Sequence, residues 1–121
     1  MSASDPLQTC LAPAKLSLSF AIGGSIMVAY LIADTNIHDH KTYDEYKRQV
    51  LPTIAKFGGR FLVRGGPHEI LEGHWSPHRI VVIEFPDMAA IKAWYNSPEY
   101  APLLTMRQPA ASDHLVAVEG A

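Results

Sequence analysis

A single cysteine, Cys10, is all the thiol chemistry in this sequence. One cysteine forms no intrachain disulfide and no cysteine-cluster metal site. That fits a reducing compartment, and a cytoplasmic setting is expected. No apolar run approaches the ~20 residues that span a bilayer. Basic runs are missing too, as is any basic stripe with interleaved aromatics, and the formal net charge is -2. Neither nucleic acid nor an anionic membrane surface is therefore an expected partner. No glycine-rich loop has Walker or Rossmann spacing, so no nucleotide is expected. No serine sits in a nucleophile elbow, which leaves covalent hydrolysis unsupported. The histidines are His38, His40, His68, His74, His78 and His114. None has a dependable metal spacing with a third ligand nearby, and none lies in a haem motif. No metal and no cofactor is expected.

What is present is an ordinary globular composition, with 121 residues of which 48% are hydrophobic. That suits one domain. A domain this small buries a modest share of its surface, so self-association is a natural supplement. The chain is organised around Gly58–Gly66, which reads Gly-Gly-Arg-Phe-Leu-Val-Arg-Gly-Gly. The first pair ends a helix and the second breaks a strand. Strand alternation places Arg60, Leu62 and Arg64 on one face and Phe61 and Val63 on the other.

Residues 1–26 hold only two charged residues, Asp5 and Lys15. Leu16, Leu18, Phe20 and Ile22 alternate with small or polar residues in a strand-like way. A signal peptide would need a basic n-region, which is missing. The segment is read as an extension that contributes little to the fold, either a flexible tail or an addition ahead of a natural start at Met27. As an alternative, residues 16–22 add a strand to a sheet edge. Residues 27–121 form the domain.

In that domain Val28–Asp34 reads as a strand with Val28, Tyr30, Ile32 and Asp34 on one face. Asp39 or Thr42 caps the following helix, Thr42 with Glu45 making a capping box. Tyr43, Tyr46, Val50, Ile54 and Phe57 form its apolar stripe, and Pro52 predicts a kink. Arg60–Arg64 is the second strand, with Glu69–Glu72 as its continuation past a bulge. After a turn at Gly73–Pro77, Arg79–Phe85 returns as an antiparallel partner. Asp87 caps a second helix carrying Met88, Ile91, Trp94 and Tyr95. Ser97-Pro98 starts another helix, expected to be short or bent because of Pro102. His114–Glu119 is the last strand.

The order β-α-β-β-α-β predicts an α+β, ferredoxin-like fold: a four-stranded antiparallel sheet with the helices on one face. The other face then needs cover, and a second copy packed sheet to sheet supplies it. A homodimer is the expected assembly.

From Met27 onward the chain resembles domain-of-unknown-function family 1330, of the dimeric α/β-barrel superfamily. The resemblance rests on Asp39, Tyr43 and Tyr46, then Gly58-Gly59-Arg60 and Arg64-Gly65-Gly66. It continues through Leu71-Glu72-Gly73, Trp75, Pro77 and Glu84-Phe85-Pro86. The longest run is Ala93-Trp94-Tyr95-Asn96-Ser97-Pro98-Glu99-Tyr100, and Arg107 and Val118-Glu119-Gly120 close it. The resemblance implies a homodimer whose two sheets form a barrel. It implies no reaction, because superfamily relatives include cofactor-independent monooxygenases, haem enzymes and binding modules.

Three charged residues lie at or in apolar strands: Asp34, Arg64 and Glu84. The functional reading gathers them in a small cleft between sheet and helices. Arg64 would hold a carboxylate or enolate oxygen, and Asp34 or Glu84 would accept a proton. Tyr30, Trp94, Tyr95, Asn96 and Tyr100 would form the pocket wall. On this reading the chain is a small homodimeric enzyme that works on a small organic acid or aromatic metabolite by metal-free acid–base chemistry. The alternative is a non-catalytic module, a metabolite-binding or structural dimer, with the same charges forming an ion-pair network within the sheet.

Overall fold

The computed structural model describes residues 27–121. The expectations for Cys10, residues 16–22 and the rest of the extension lie outside them. The elements are β1 (Ala29–Ile37), α1 (His40–Lys56), β2 (Arg60–Arg64), β3 (Ile80–Phe85), α2 (Met88–Tyr95), α3 (Ala101–Ala110) and β4 (Ala111–Glu119). The sheet order is β2-β3-β1-β4, and every neighbouring pair is antiparallel. The fold is the expected α+β, ferredoxin-like one. No helix among the described residues is long and apolar enough to cross a membrane.

Asp39 caps α1. Its carboxylate accepts from the Thr42 amide at 3.1 Å and from the Thr42 hydroxyl at 2.7 Å. The Thr42–Glu45 capping box does not form, because Glu45 is taken by Arg48 and Gln49 one turn on. Tyr43, Tyr46, Val50 and Ile54 are the buried stripe, and α1 runs through Pro52 to Lys56. Gly58 follows at φ 85°, a left-handed conformation that glycine adopts without a Cβ clash.

Three expectations are corrected. Residues 65–79 form a loop rather than a strand continuation, although β2 and β3 pair as a hairpin. Helix α3 is ten residues long and is not disrupted by Pro102. That proline falls in the first turn, where its missing N–H would have had no helical partner anyway. Ser97 caps the turn ahead of α3 instead of α3 itself, its hydroxyl accepting from the Tyr100 amide at 3.1 Å.

The core lies between the helices and one sheet face, around Phe85, Trp94, Tyr100 and Ile54. At its edge the side chains of Arg107 on α3 and Asp113 on β4 form an ion pair, 7% and 4% exposed. Arg107 Nε donates to the Tyr100 hydroxyl at 3.1 Å, and that hydroxyl meets the Tyr46 hydroxyl at 2.9 Å. One polar chain thus connects α3, β4 and α1.

Gly59 passes directly over this core. A Cβ there would stand 2.7 Å from Ile54 Cγ2 and 2.9 Å from the Phe85 ring. Gly59→Ala is expected to lower stability by about 1–3 kcal/mol in urea unfolding, the usual cost of overpacking. Gly66, where an added Cβ meets nothing within 4 Å, is the control; Gly66→Ala should stay within about 1 kcal/mol of the parent.

Candidate functional site

On its helix-covered face the sheet presents rows of side chains across the strands. The register aligns Leu115, Ala33, Val81 and Arg64 in one row, and Ala117, Leu31, Ile83 and Phe61 in the next. Ala33 is small, and α1 arches over the row with Tyr43, Tyr46 and Lys47. The space left encloses about 50 Å³ and is also lined by Arg79, Arg107 and Asp113. Arg107 and Asp113 neutralise each other, and Lys47 faces Asp44 at 3.4 Å. Arg64 and Arg79 have no carboxylate within ion-pair distance among the described residues. Arg64 lies over the Phe61 ring, 4.5 Å from its centroid. Arg79 reaches the Tyr43 hydroxyl at 3.5 Å, a long contact.

Burial raises the Tyr43 hydroxyl above the usual phenol range, against the opposing pull of Arg79. Tyr46 is raised further, by burial and by the phenol of Tyr100 beside it. Both hydroxyls therefore stay protonated. Burial works against the Arg107 charge, but Tyr100 and Asp113 outweigh it and the guanidinium stays protonated.

The eight residues singled out in the sequence do not form one cluster. Arg64 and Trp94 line the helix-side cavity. Tyr95 and Asn96 line an adjoining groove of about 240 Å³, which shares Leu31 and Leu115 with the cavity. Tyr100 is fully buried and lies behind the cavity lining, hydrogen-bonded to Tyr46 and Arg107. Tyr30, Asp34 and Glu84 lie on the opposite, uncovered sheet face. Glu84 accepts from Arg60 Nε at 2.7 Å. Asp34 accepts from Trp75 Nε1 at 3.0 Å and from the His78 amide at 2.9 Å.

The assignment of Arg60 and Arg64 to one face is corrected by a bulge. The β2–β3 register shifts between Phe61 and Val63, so Arg60 opposes Glu84 while Arg64 opposes Val81. One extra residue resets strand alternation. Arg79 was not among the residues singled out, yet it precedes Val81, Ile83 and Phe85 at two-residue spacing and so shares their core-facing side. Gly65, at φ 75°, makes room for it; a Cβ there would come 2.6 Å from Arg79 Nε.

Residues 28–121 match the domain of unknown function DUF1330, and the chain belongs to that family. No curated protein matches the sequence. Among solved structures, the chain is similar to a protein of unknown function from Rhodopseudomonas palustris. The TM-score is 0.67 at 18% identity, with 80% of this chain and 85% of the other covered. It is also similar to SnoaB, a cofactor-independent oxygenase from Streptomyces nogalater, at a TM-score of 0.55 and 12% identity over 80% and 95% of the two chains. A third is a putative antibiotic biosynthesis monooxygenase from Caulobacter crescentus, at a TM-score of 0.50 and 14% identity over 79% and 92%. At these identities the likeness is one of fold.

The Asp34 anchor carries a pH signature. Burial pushes its carboxyl up, but the Trp75 indole and the His78 and Arg79 amides outweigh this and hold it below the ordinary value of 3.8. A depressed carboxyl stabilises the fold above its unfolded pKa and loses that contribution as pH falls through the folded one. The Trp75 indole NMR signal should therefore stay unchanged down to about pH 4 and move only below it. A midpoint above the ordinary carboxyl range would contradict this anchoring. Asp34→Ala should shift the same signal already at neutral pH.

Proposed function

We propose that this member of the family is a homodimer that binds a small organic acid in the helix-side cavity. The observation that carries the reading is the pair of guanidiniums, Arg64 and Arg79, which line the cavity without a carboxylate partner among the described residues, while its other charged groups, Lys47, Arg107 and Asp113, are paired. Such a pair suits a carboxylate or enolate, which guanidinium binds in a two-pronged way. A cavity of about 50 Å³ takes the acid group and little more. The body of the ligand would then lie in the adjoining groove, over Leu31, Leu115 and Ala117 towards Tyr95 and Asn96. The cytoplasm is the expected setting.

As an enzyme, the protein would use Tyr43 as hydrogen-bond or proton donor to an oxygen on which charge develops, with Arg79 beside it. The proton acceptors first considered, Asp34 and Glu84, are engaged on the other sheet face. The cavity's own carboxylate, Asp113, is tied to Arg107. This lack of a ready base, together with the small volume, favours a second reading in which the dimer binds its acid without transforming it.

The uncovered face supports the dimer. Tyr30, Ile32, Val82, Val116 and Val118 stand together there, with Val116 57% and Val118 45% exposed. A second copy packed face to face would remove this apolar surface from water.

Isothermal titration with a panel of aliphatic and aromatic carboxylic acids tests the binding, with light scattering on the same sample for the mass. Expected are a dimer, a measurable affinity for some of the acids, and a loss of about tenfold or more in Arg79→Ala and in Arg64→Ala. A monomer would refute the assembly. Affinity unchanged in both variants would refute the site. A bound acid that is converted on incubation decides for the enzyme; one recovered intact decides for the binding module.

A further inference from the structure

We propose that the uncovered sheet face carries a second ligand site, independent of the acid-binding cavity, that takes a small neutral polyol such as a monosaccharide. The site lies at the Asp34 end of that face. β1 contributes Asp34 and Asn36, and β4 contributes His114 and Ser112 directly opposite them. The loop 65–79 arches over the four and adds Trp75, Ser76 and His78. Together these residues line a half-open space of about 380 Å³. That is within the range of small-molecule sites, roughly 300–1,000 Å³.

The lining decides the ligand class. No lysine or arginine lines the space, so a phosphate or carboxylate would find no permanent countercharge and would meet the Asp34 carboxylate. Both Asp34 oxygens already accept hydrogen bonds, from Trp75 and from the His78 amide, which leaves little for a cationic guest. Among the described residues no three His, Cys, Asp or Glu side chains converge as metal ligands. What faces the space is amphoteric. The Asn36 amide, the Ser76 hydroxyl and the His78 and His114 imidazoles each donate and accept, and none has a side-chain hydrogen-bond partner among the described residues. Hydroxyl groups on adjacent carbons have that same dual character.

Trp75 supplies the second argument. Its side chain is 63% exposed, yet its indole N–H is fixed on Asp34. Immobilising a large side chain without burying it costs rotamer entropy and returns little hydrophobic stabilisation. The arrangement makes sense as a preorganised flat surface, on which the C–H face of a polyol ring rests while its hydroxyls reach the polar groups. Ser112, whose hydroxyl meets the His38 ring at 2.7 Å, lines the β4 side. The apolar part of the same face, Tyr30, Ile32, Val116 and Val118, continues directly from Asp34 and His114 along β1 and β4, so the site sits at the margin of the surface assigned to the dimer.

The whole chain contains two tryptophans, which makes the test direct. ¹H–¹⁵N spectra of labelled full-length protein are recorded during titration with glucose, sorbitol and glycerol. Trp75→Phe identifies the Trp75 indole signal, and the buried Trp94 serves as internal control. At least one polyol is expected to move the Trp75 signal saturably while the Trp94 signal stays in place. His114→Ala and Asn36→Ala should each weaken the apparent affinity by about fivefold or more, with the Trp94 signal showing that both variants are folded. A linear drift, an equal movement of both indoles, or saturation undiminished in both variants overturns the proposal. So does a stronger Trp75 response to benzoate than to any polyol, which would make the site one for anions. Because the readout is on the face opposite Arg64 and Arg79, failure here leaves the acid-binding cavity untouched, and the reverse also holds.

Discussion

The structure depends first on the ion pair between Arg107 and Asp113. It is buried at the corner where α3 turns into β4, and charges out of water are stable only when fully partnered. The partnering is complete here because the guanidinium also donates to Tyr100, whose hydroxyl meets that of Tyr46. The last helix, the edge strand and the first helix are thereby fixed at one point. Removing one member of such a pair typically costs about 3–5 kcal/mol, since the other charge is left stranded. The same arrangement has a chemical effect. It consumes the one carboxylate that lines the helix-side cavity, so the remaining guanidiniums dominate its electrostatics.

Much of the fold was legible. Two-residue alternation in Ala29–Asp34 and in Val81–Phe85, and the three- and four-residue spacing from Tyr43 to Ile54, are direct consequences of which face is buried. The caps at Asp39 and Asp87 were readable because short acidic side chains satisfy the first amides of a helix, at 3.1 Å from the Thr42 amide and 2.8 Å from the Ala90 amide. Pro102 misled because a proline looks the same in sequence whether it falls in the first turn or the third. The residues of loop 65–79 alternate well enough to suggest a strand, but Asp34 draws Trp75 and His78 to itself from 41 and 44 residues away. Nothing local to the loop reveals that.

The candidate site was half legible for a related reason. Arg64 belongs to the cavity, as its charge in an apolar strand suggested, but it does not share a face with Arg60. Trp94, Tyr95 and Asn96 do border the helix-side space, since a helix end packed on a sheet brings its last turn to the rim. Asp34 and Glu84 could not be separated from Arg64 by pattern, because the bulge that separates them leaves no mark in the alternation of Arg60–Arg64. Arg79 carried a usable signal in its two-residue phase with Val81 and Ile83, and its charge obscured it.

That bulge has a consequence for how the chain tolerates change in length. Between Phe61 and Val63 the strand holds one residue more than its partner, and this surplus is why Arg60 and Arg64, four positions apart, face opposite sides of the sheet. Deleting Leu62 would remove the surplus and leave a regular ladder in which Arg64 still opposes Val81 and still faces the helices, whereas a further deletion or an insertion would carry a side chain to the wrong side of the sheet. A few positions on, the loop could lose or gain a residue between its first glycines and its contacts with Asp34 without moving either arginine. Insertions and deletions among relatives of this chain should accordingly gather in residues 66–74, and within residues 60–65 a deletion should fall at Leu62, a record written in alignment gaps rather than in side-chain identity.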